Sequence, residues 1–437
     1  MKTLDARLQA RIEARTANVA VAGLGYVGLP LAVEVARAGF QVCGIDVDPN
    51  RVERIRQGES YIGDVPADRL AALVAEGRLS ARTDYGGVAD ADVILICVPT
   101  PLTRSKEPDL SFVAAAVREV AHRLRPEQLV VLESTTYPGT TQELVRPALE
   151  AGGLRVGRDF YLAFSPERID PGNRRHAYRD IPKVVGGVTP ACTDLACRFY
   201  SHIVRQVVPV SSSTVAEMVK VYENVFRNVN IALVNELTLL CDRMGLDVWE
   251  IIEAAATKPY GFMPFSPGPG VGGHCIPVDP YYLAAKAREY DFHVRFIELA
   301  AAVNDSMPYY VRSRTVAALG ARGKALAGSR VLVLGVAYKK DVADARESPA
   351  LKILELLERG GAQVSYHDPL VPEVTLANPG GTLRSVPLTD EAIAEADCVV
   401  VATDHTAVDY ERVAAQARLV VDTRNVYRTR RPNVVRL

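Results

Sequence analysis

The regular pattern begins with a short apolar run, "VAVAG" at residues 19–23, followed by a helical pattern from Tyr26 to Ala38 and a second apolar run, "FQVCGID". Further buried-strand patterns stand at 92–98 ("DVILICV"), 128–134 ("QLVVLES"), 160–166 ("FYLAFSP") and 183–187 ("KVVGG"). Helical stretches separate most of them, and strand alternating with helix predicts an α/β fold with a doubly wound parallel sheet. From Ser213 the texture changes. "STVAEMVKVYENVFRNVNIALVNELTLLCDRMGL" holds no proline, and no glycine before Gly245. Its apolar residues surround the helix instead of forming one stripe, which predicts burial on several sides. About 30 residues at about 1.5 Å each reach roughly 45 Å, enough to join two domains and pack against another subunit. Alternation then resumes. "RVLVLGVAYK", "AQVSYHDP", "DCVVVATDH" and "RLVVDTRNV" read as strands of a second α/β domain, with "PALKILELLERGG" as a crossover helix.

Composition narrows the class. With 437 residues and 48% hydrophobic content, the chain is too long for one ordinary domain. A net charge of -1 offers no global basic field for nucleic acid or an anionic membrane, so an anionic ligand must meet a local cluster. The charged start "MKTLDARLQARIEART" lacks the apolar core of a signal peptide, and no apolar run is long enough to span a bilayer. Seven cysteines without paired spacing read as reduced thiols of a cytoplasmic protein. Cys192 and Cys197 lack a second ligand pair, so no metal site is expected.

The first apolar run leads into Gly23-Leu24-Gly25-Tyr26-Val27-Gly28. A strand before it, a helix after it and Asp46 at the end of the next strand make this a dinucleotide fingerprint. The glycines serve a tight turn, close approach of a pyrophosphate and helix-to-strand packing. Asp46 can accept from both ribose hydroxyls and would repel a 2′-phosphate, which favours NAD over NADP. Arg51 could lie against the adenosine, and a solvated helix charge remains equally open.

"GPGVGGHCIPVDP", residues 268–280, surrounds Cys275 with glycine and proline. Glycine lets backbone approach a ligand, and a thiol there is either a buried inert residue or a nucleophile activated by a neighbouring cation. Asp279 is near enough in the loop to share its site. Lys220 and Asn224, spaced i,i+4, lie on one helix face. Pattern alone leaves open whether Lys220 is functional, exposed or in a structural ion pair.

Taken in order, "GLGYVGLPLA", "FSPERI", "KVYENVFRNVNIALVNE", "GPGVGGHCIPVDP" and "YKKDVADARESPA" resemble the nucleotide-sugar 6-dehydrogenases, the group of UDP-glucose and GDP-mannose dehydrogenases. The resemblance covers nearly the whole chain. It implies an NAD-binding Rossmann domain at 1–210, a helical dimerisation domain at 211–312 and a Rossmann-like nucleotide-sugar domain at 313–437, in a homodimer or higher oligomer. It further implies two successive oxidations at the sugar C6, with Cys275 forming a thiohemiacetal and then a thioester. Lys220 and Asn224 would stabilise the oxyanion and Lys220 would move protons. Asp279 would hold a water or Lys220. Glu167 and Thr135 match positions for the hydrolytic water and the nicotinamide. By the same resemblance Tyr26, Val27, Thr100 and Arg346 join the cofactor set. Gly272, Lys339 at the diphosphate and Arg424 join Glu167, Lys220 and Asn224 in the substrate set. "KPYGFMPF", "ESTTYPGTT" and "PTPLTRSKEPDLSFV" look like the subgroup acting on UDP-N-acetylglucosamine, with UDP-glucose as the alternative sugar. A binding module without catalysis would have no use for the thiol.

Overall fold

The structure, a computed structural model, describes residues 4–103, 106–170, 176–273, 276–377 and 380–437. The chain forms two compact units, Met1–Glu223 with Tyr281–Phe292, and Asn224–Pro280 with His293–Leu437. Among the described residues, no helix is long and apolar enough to cross a membrane.

The first unit holds β1 (Asn18–Ala22), β2 (Gln41–Ile45), β3 (Leu79–Arg82), β4 (Val93–Ile96), β5 (Leu129–Leu132), β6 (Tyr161–Phe164), β7 (Lys183–Gly187) and β8 (Val207–Pro209). They form one sheet in the order β3-β2-β1-β4-β5-β6-β7-β8. Strands β1 to β6 pair in parallel. All residues of β4, β5 and β6 are buried, as expected of strands covered on both faces. The strand order reverses between β1 and β4, which opens a crevice at the carboxyl ends of these strands. One departure from the parallel expectation stands at the sheet's far side. β7 runs antiparallel to β6, and β8 parallel to β7. A parallel return needs a crossover element, and the described residues between β6 and β7 hold only the single turn Tyr178–Asp180.

The second unit holds β9 (Arg330–Leu334), β10 (Gln363–His367), β11 (Glu373–Leu376), β12 (Gly381–Arg384), β13 (Cys398–Val401), β14 (Val420–Asp422) and β15 (Val434–Arg436). Five make a parallel sheet in the order β10-β9-β13-β14-β15, and β11 and β12 form a separate hairpin. The crossover helix is Pro349–Arg359, capped by Ser348, whose side chain accepts from the Ala350 N–H.

The long helix runs unbroken over 32 residues, Ser213–Met244. Its buried side carries a row of polar residues. Glu217, Lys220, Asn224, Asn228, Asn235 and Thr238 are buried and, by their spacing, share one face. On the opposite face Met218, Tyr222, Phe226, Leu233 and Leu240 are 42–66% exposed. The expectation of a helix apolar on every side is therefore corrected: a polar row runs down the buried side, flanked by the buried Ala216, Val221, Val225, Ala232, Val234 and Cys241, while the opposite apolar row is exposed.

Candidate functional site

The three fingerprint glycines divide by what surrounds them. Gly23 has φ +89, and a Cβ there would stand 2.5 Å from the Cys97 carbonyl oxygen. A Cβ on Gly28 would stand 1.8 Å from the Gly23 oxygen. At Gly25 a Cβ would meet nothing within 4 Å. The turn and the helix packing thus forbid side chains at two positions, and the third faces open space where a pyrophosphate can approach. The helix Gly28–Arg37 begins there without a side-chain cap; its Leu29 and Leu31 N–H groups are given to the Gly25 and Val27 carbonyls and Pro30 has none, so the helix offers a phosphate chiefly the positive end of its dipole. Tyr26 is exposed and Val27 half-buried on this turn.

Asp46 follows β2 and ties the crevice together. Its Oδ2 accepts from the Leu24 N–H at 2.8 Å, and its Oδ1 from the Asp48 N–H at 3.0 Å. Arg51 Nη1 lies 3.3 Å from the same Oδ2. Tyr61 supports both sides, donating to the Leu24 carbonyl at 2.6 Å with its ring 6.0 Å from the Arg51 guanidinium. Arg51 is therefore held by Asp46 at the ribose end of the crevice. Thr100 follows β4 and Thr135 follows β5, both half-buried. Residues that fit NAD thus converge at the ends of β1, β2, β4 and β5.

Glu167, beyond β6, sits in a buried ionic cluster that pattern reading missed. Lys183 Nζ lies 2.6 Å from Glu133 Oε2 and 3.2 Å from Glu167 Oε2, and Tyr200 donates to Glu133. Glu167 Oε1 also accepts the N–H groups of Arg168 and Ile169 at 2.7 and 2.8 Å, and its Oε2 accepts from Tyr178 at 3.1 Å. Burial pushes the Glu167 carboxyl up, but the Lys183 charge and the two backbone donors outweigh it, and the net shift is downward. Burial pushes Glu133 up and Lys183 does not fully offset it. Glu167 is thus kept ionised, and its donors come from every side. Lys183 gave no signal because a lysine opening a strand reads as an edge residue.

Lys220 and Asn224 are each 9% exposed on the inward stripe, and among the described residues of its own unit no carboxylate pairs with Lys220. Asn224 Nδ2 donates to Asp279 Oδ2 at 2.5 Å. Asp279 is not a loop residue as expected: it opens the helix Asp279–Arg288. Cys275 lies outside the described residues. The described part of its loop lies against residues of the second unit that follow β9 and β14. Cβ atoms on Gly272 and Gly273 would come within about 3 Å of the Tyr338 side chain, and one on Gly268 within 2.8 Å of Arg424 Nη1. Arg424 donates from Nε to the Ala402 carbonyl at 2.7 Å. Burial lowers the Arg424 guanidinium from its ordinary value.

Lys339 is half-buried just past β9. Arg346 is exposed, and its Nη2 lies 2.7 Å from Asp344 Oδ2. Asp368, at the end of β10, repeats in this domain the placement of Asp46. Its Oδ2 accepts from the Val336 and Ala337 N–H groups at 2.7 and 2.9 Å, just beyond β9. Here the position facing the acid is filled by the fully buried His405. In the first unit the side chain facing the acid is Arg51, 44% exposed, not a buried residue.

Comparisons with known proteins cover most of the chain. Three family models match in order: the UDP-glucose/GDP-mannose dehydrogenase family NAD binding domain at 17–204, central domain at 214–306 and UDP binding domain at 332–429. A UDP-N-acetyl-D-glucosamine 6-dehydrogenase of Pseudomonas aeruginosa is 40% identical over 81% of this chain and 83% of its own. A UDP-N-acetyl-D-mannosamine dehydrogenase of Pyrococcus horikoshii is 37% identical over 94% of this chain and 96% of its own. The solved UDP-D-ManNAc dehydrogenase of Pyrococcus horikoshii superposes with a TM-score of 0.87 at 34% identity, covering 96% of this chain and 98% of that one.

Proposed function

The chain belongs to the UDP-glucose/GDP-mannose dehydrogenase family, and on that premise we propose that it oxidises the C6 alcohol of UDP-N-acetylglucosamine to the carboxylate in two steps of two electrons each. Bound NAD⁺ supplies the hydride acceptor, two equivalents per sugar. Lys220 takes the hydroxyl proton as C6 becomes an aldehyde. The Cys275 thiolate adds to that carbon, and Asn224 and Lys220 hold the oxyanion. Loss of the second hydride leaves a thioester. Water then attacks the acyl carbon and the thiolate leaves. Glu167, held ionised by Lys183, orients that water, and Thr135 contacts the nicotinamide. Lys339 and Arg424 meet the UDP-sugar at the diphosphate and the sugar, beside the backbone of Gly272, and Arg346 reaches the cofactor.

The observation that carries this reading is the Asn224–Asp279 hydrogen bond, which joins the polar stripe of the long helix to the exit of the Cys275 loop. A module that only binds needs no such junction just past a cysteine-bearing segment. The 2-acetamido sugar is supported by the relatives named for N-acetylglucosamine and N-acetylmannosamine. N-acetylmannosamine is the second reading, favoured by the near-complete coverage of the Pyrococcus horikoshii relative. Incubating the protein with NAD⁺ and the UDP derivatives of N-acetylglucosamine, N-acetylmannosamine, N-acetylgalactosamine and glucose, and reading NADH, tests both. UDP-N-acetylglucosamine should give the highest kcat/KM, and a preference for UDP-glucose would refute the acetamido reading. The outward apolar stripe of the long helix supports a homodimer built on a second copy of this face.

A further inference from the structure

Three buried asparagine side chains bridge the two stems of the Cys275 loop. Asn228 and Asn235 stand on the long helix, and Asn304 stands on the helix Arg295–Gly320; all three are at most 4% exposed. The Gly268 N–H donates to Asn235 Oδ1 at 3.0 Å. Asn235 Nδ2 donates to Asn304 Oδ1 at 2.9 Å. Asn304 Nδ2 donates to both the side-chain Oδ1 and the backbone carbonyl of Asn228, each at 3.1 Å. Asn228 Nδ2 donates to the Ile276 carbonyl at 2.9 Å. The donors run in one direction, from the first stem of the loop to the last.

Among side chains of this size, the carboxamide of asparagine both accepts on one atom and donates from another in a fixed plane. Leucine would fill the same space without the cost of burying three amides. Here each amide is paired, and a fully satisfied polar chain admits one arrangement. The loop needs such a constraint. Gly270 and Gly273 have φ of +128 and +94, conformations that glycine reaches freely and that leave the unrestrained backbone many alternatives.

We propose that Asn228, Asn304 and Asn235 are positioning residues that fix the spacing of the Gly268 and Ile276 stems, and so decide whether the segment between them delivers its thiol to C6. This rests on the reading of Cys275 as the nucleophile. None of the three need touch substrate. Their loss should spare the first oxidation more than the second, because only the second requires the thiol.

The experiment compares the full-length protein with Asn304→Leu, Asn228→Asp and Cys275→Ala. Asn304→Leu should lower kcat by about tenfold or more while NADH per sugar falls from two toward one. Its NAD⁺ affinity should stay within about twofold of the unaltered protein, since the fingerprint is untouched. Asn228→Asp sets a carboxylate against the Ile276 carbonyl. Its turnover relative to the unaltered protein should recover as pH falls and the acid regains a proton to donate. That pH series carries the test if Asn304→Leu does not fold. Two NADH per sugar at near-normal kcat in Asn304→Leu, or a flat pH ratio in Asn228→Asp, overturns the proposal. So does an activity loss matched by equal loss of NAD⁺ affinity. If Cys275→Ala itself completes both oxidations, the nucleophile reading falls instead. The ladder is then read from the iodoacetamide alkylation rate of Cys275, located by peptide mass spectrometry. A change of about fivefold or more in Asn304→Leu supports it, and an unchanged rate overturns it.

Discussion

Asp368 Oδ2 accepts from His405 Nε2 at 3.0 Å, and the other ring nitrogen of His405 accepts the Asp341 N–H at 3.1 Å. The imidazole is therefore the neutral tautomer with its proton on Nε2, and it latches the "YKKD" turn that carries Lys339. Burial raises the Asp368 carboxyl, but the His405 hydrogen bond and the Ala337 and Leu370 N–H groups outweigh it and bring it down to about 2. A depressed folded value stabilises above the unfolded value and is lost as pH falls through the folded one. Asp368→Asn should thus cost about 2 kcal/mol at neutral pH, with the deficit fading between about pH 4 and pH 2. Urea denaturation across that range measures it.

Asp46 restrains Arg51, and its carboxylate is expected to repel a 2′-phosphate. Asp46→Ala should remove the repulsion and free a guanidinium to pair with that phosphate. The ratio of kcat/KM for NAD⁺ to that for NADP⁺ should then drop by about tenfold or more. An unchanged ratio in steady-state NADH and NADPH assays would show that Asp46 serves only the Leu24 and Asp48 amides.

Lys183 pairs with two buried carboxylates at once. Lys183→Met keeps the stem and removes the charge, leaving Glu133 and Glu167 facing each other uncompensated. The loss should be about 3–5 kcal/mol at neutral pH and smaller in acid, where the carboxylates can take protons. Thermal and urea unfolding at two pH values test it. Equal stability at neutral pH would mean the cluster is already protonated.

Leu233 lies at the centre of the outward apolar stripe, 66% exposed. On the proposed dimer through this face, Leu233→Glu should leave the chain folded and give a monomer in light scattering where the unaltered protein gives a dimer, because a charge would replace an apolar contact. An unchanged oligomer would place the interface elsewhere.

Much of this could be read before the structure. The runs that became β1, β2, β4, β5, β6, β9, β10, β13 and β14 are mostly apolar and bounded by turns, so the hydrophobic pattern found them. β3, β8, β15 and the β11–β12 hairpin escaped, being short and largely at edges where burial imposes little pattern. The reversal at β7 escaped as well, since an apolar run carries no sign of its direction. The dinucleotide site was legible because its glycines have a fixed order. The asparagine ladder was not. An asparagine in a helix is ambiguous until its partner is known, and Asn304 is remote in sequence from both Asn228 and Asn235.

The neighbours of the fingerprint glycines place one motif under two kinds of selection. At Gly23 and Gly28 an added carbon meets backbone carbonyl oxygens, which cannot rotate aside. At Gly25 it meets nothing within the protein. In a saturation library scored for abundance, substitutions at 23 and 28 would be depleted while alanine at 25 would pass unnoticed. Scored for turnover, all three would be lost. The difference between the two maps would mark the residue whose emptiness is reserved for the ligand, a distinction that sequence comparison, which weighs each glycine alike, does not make.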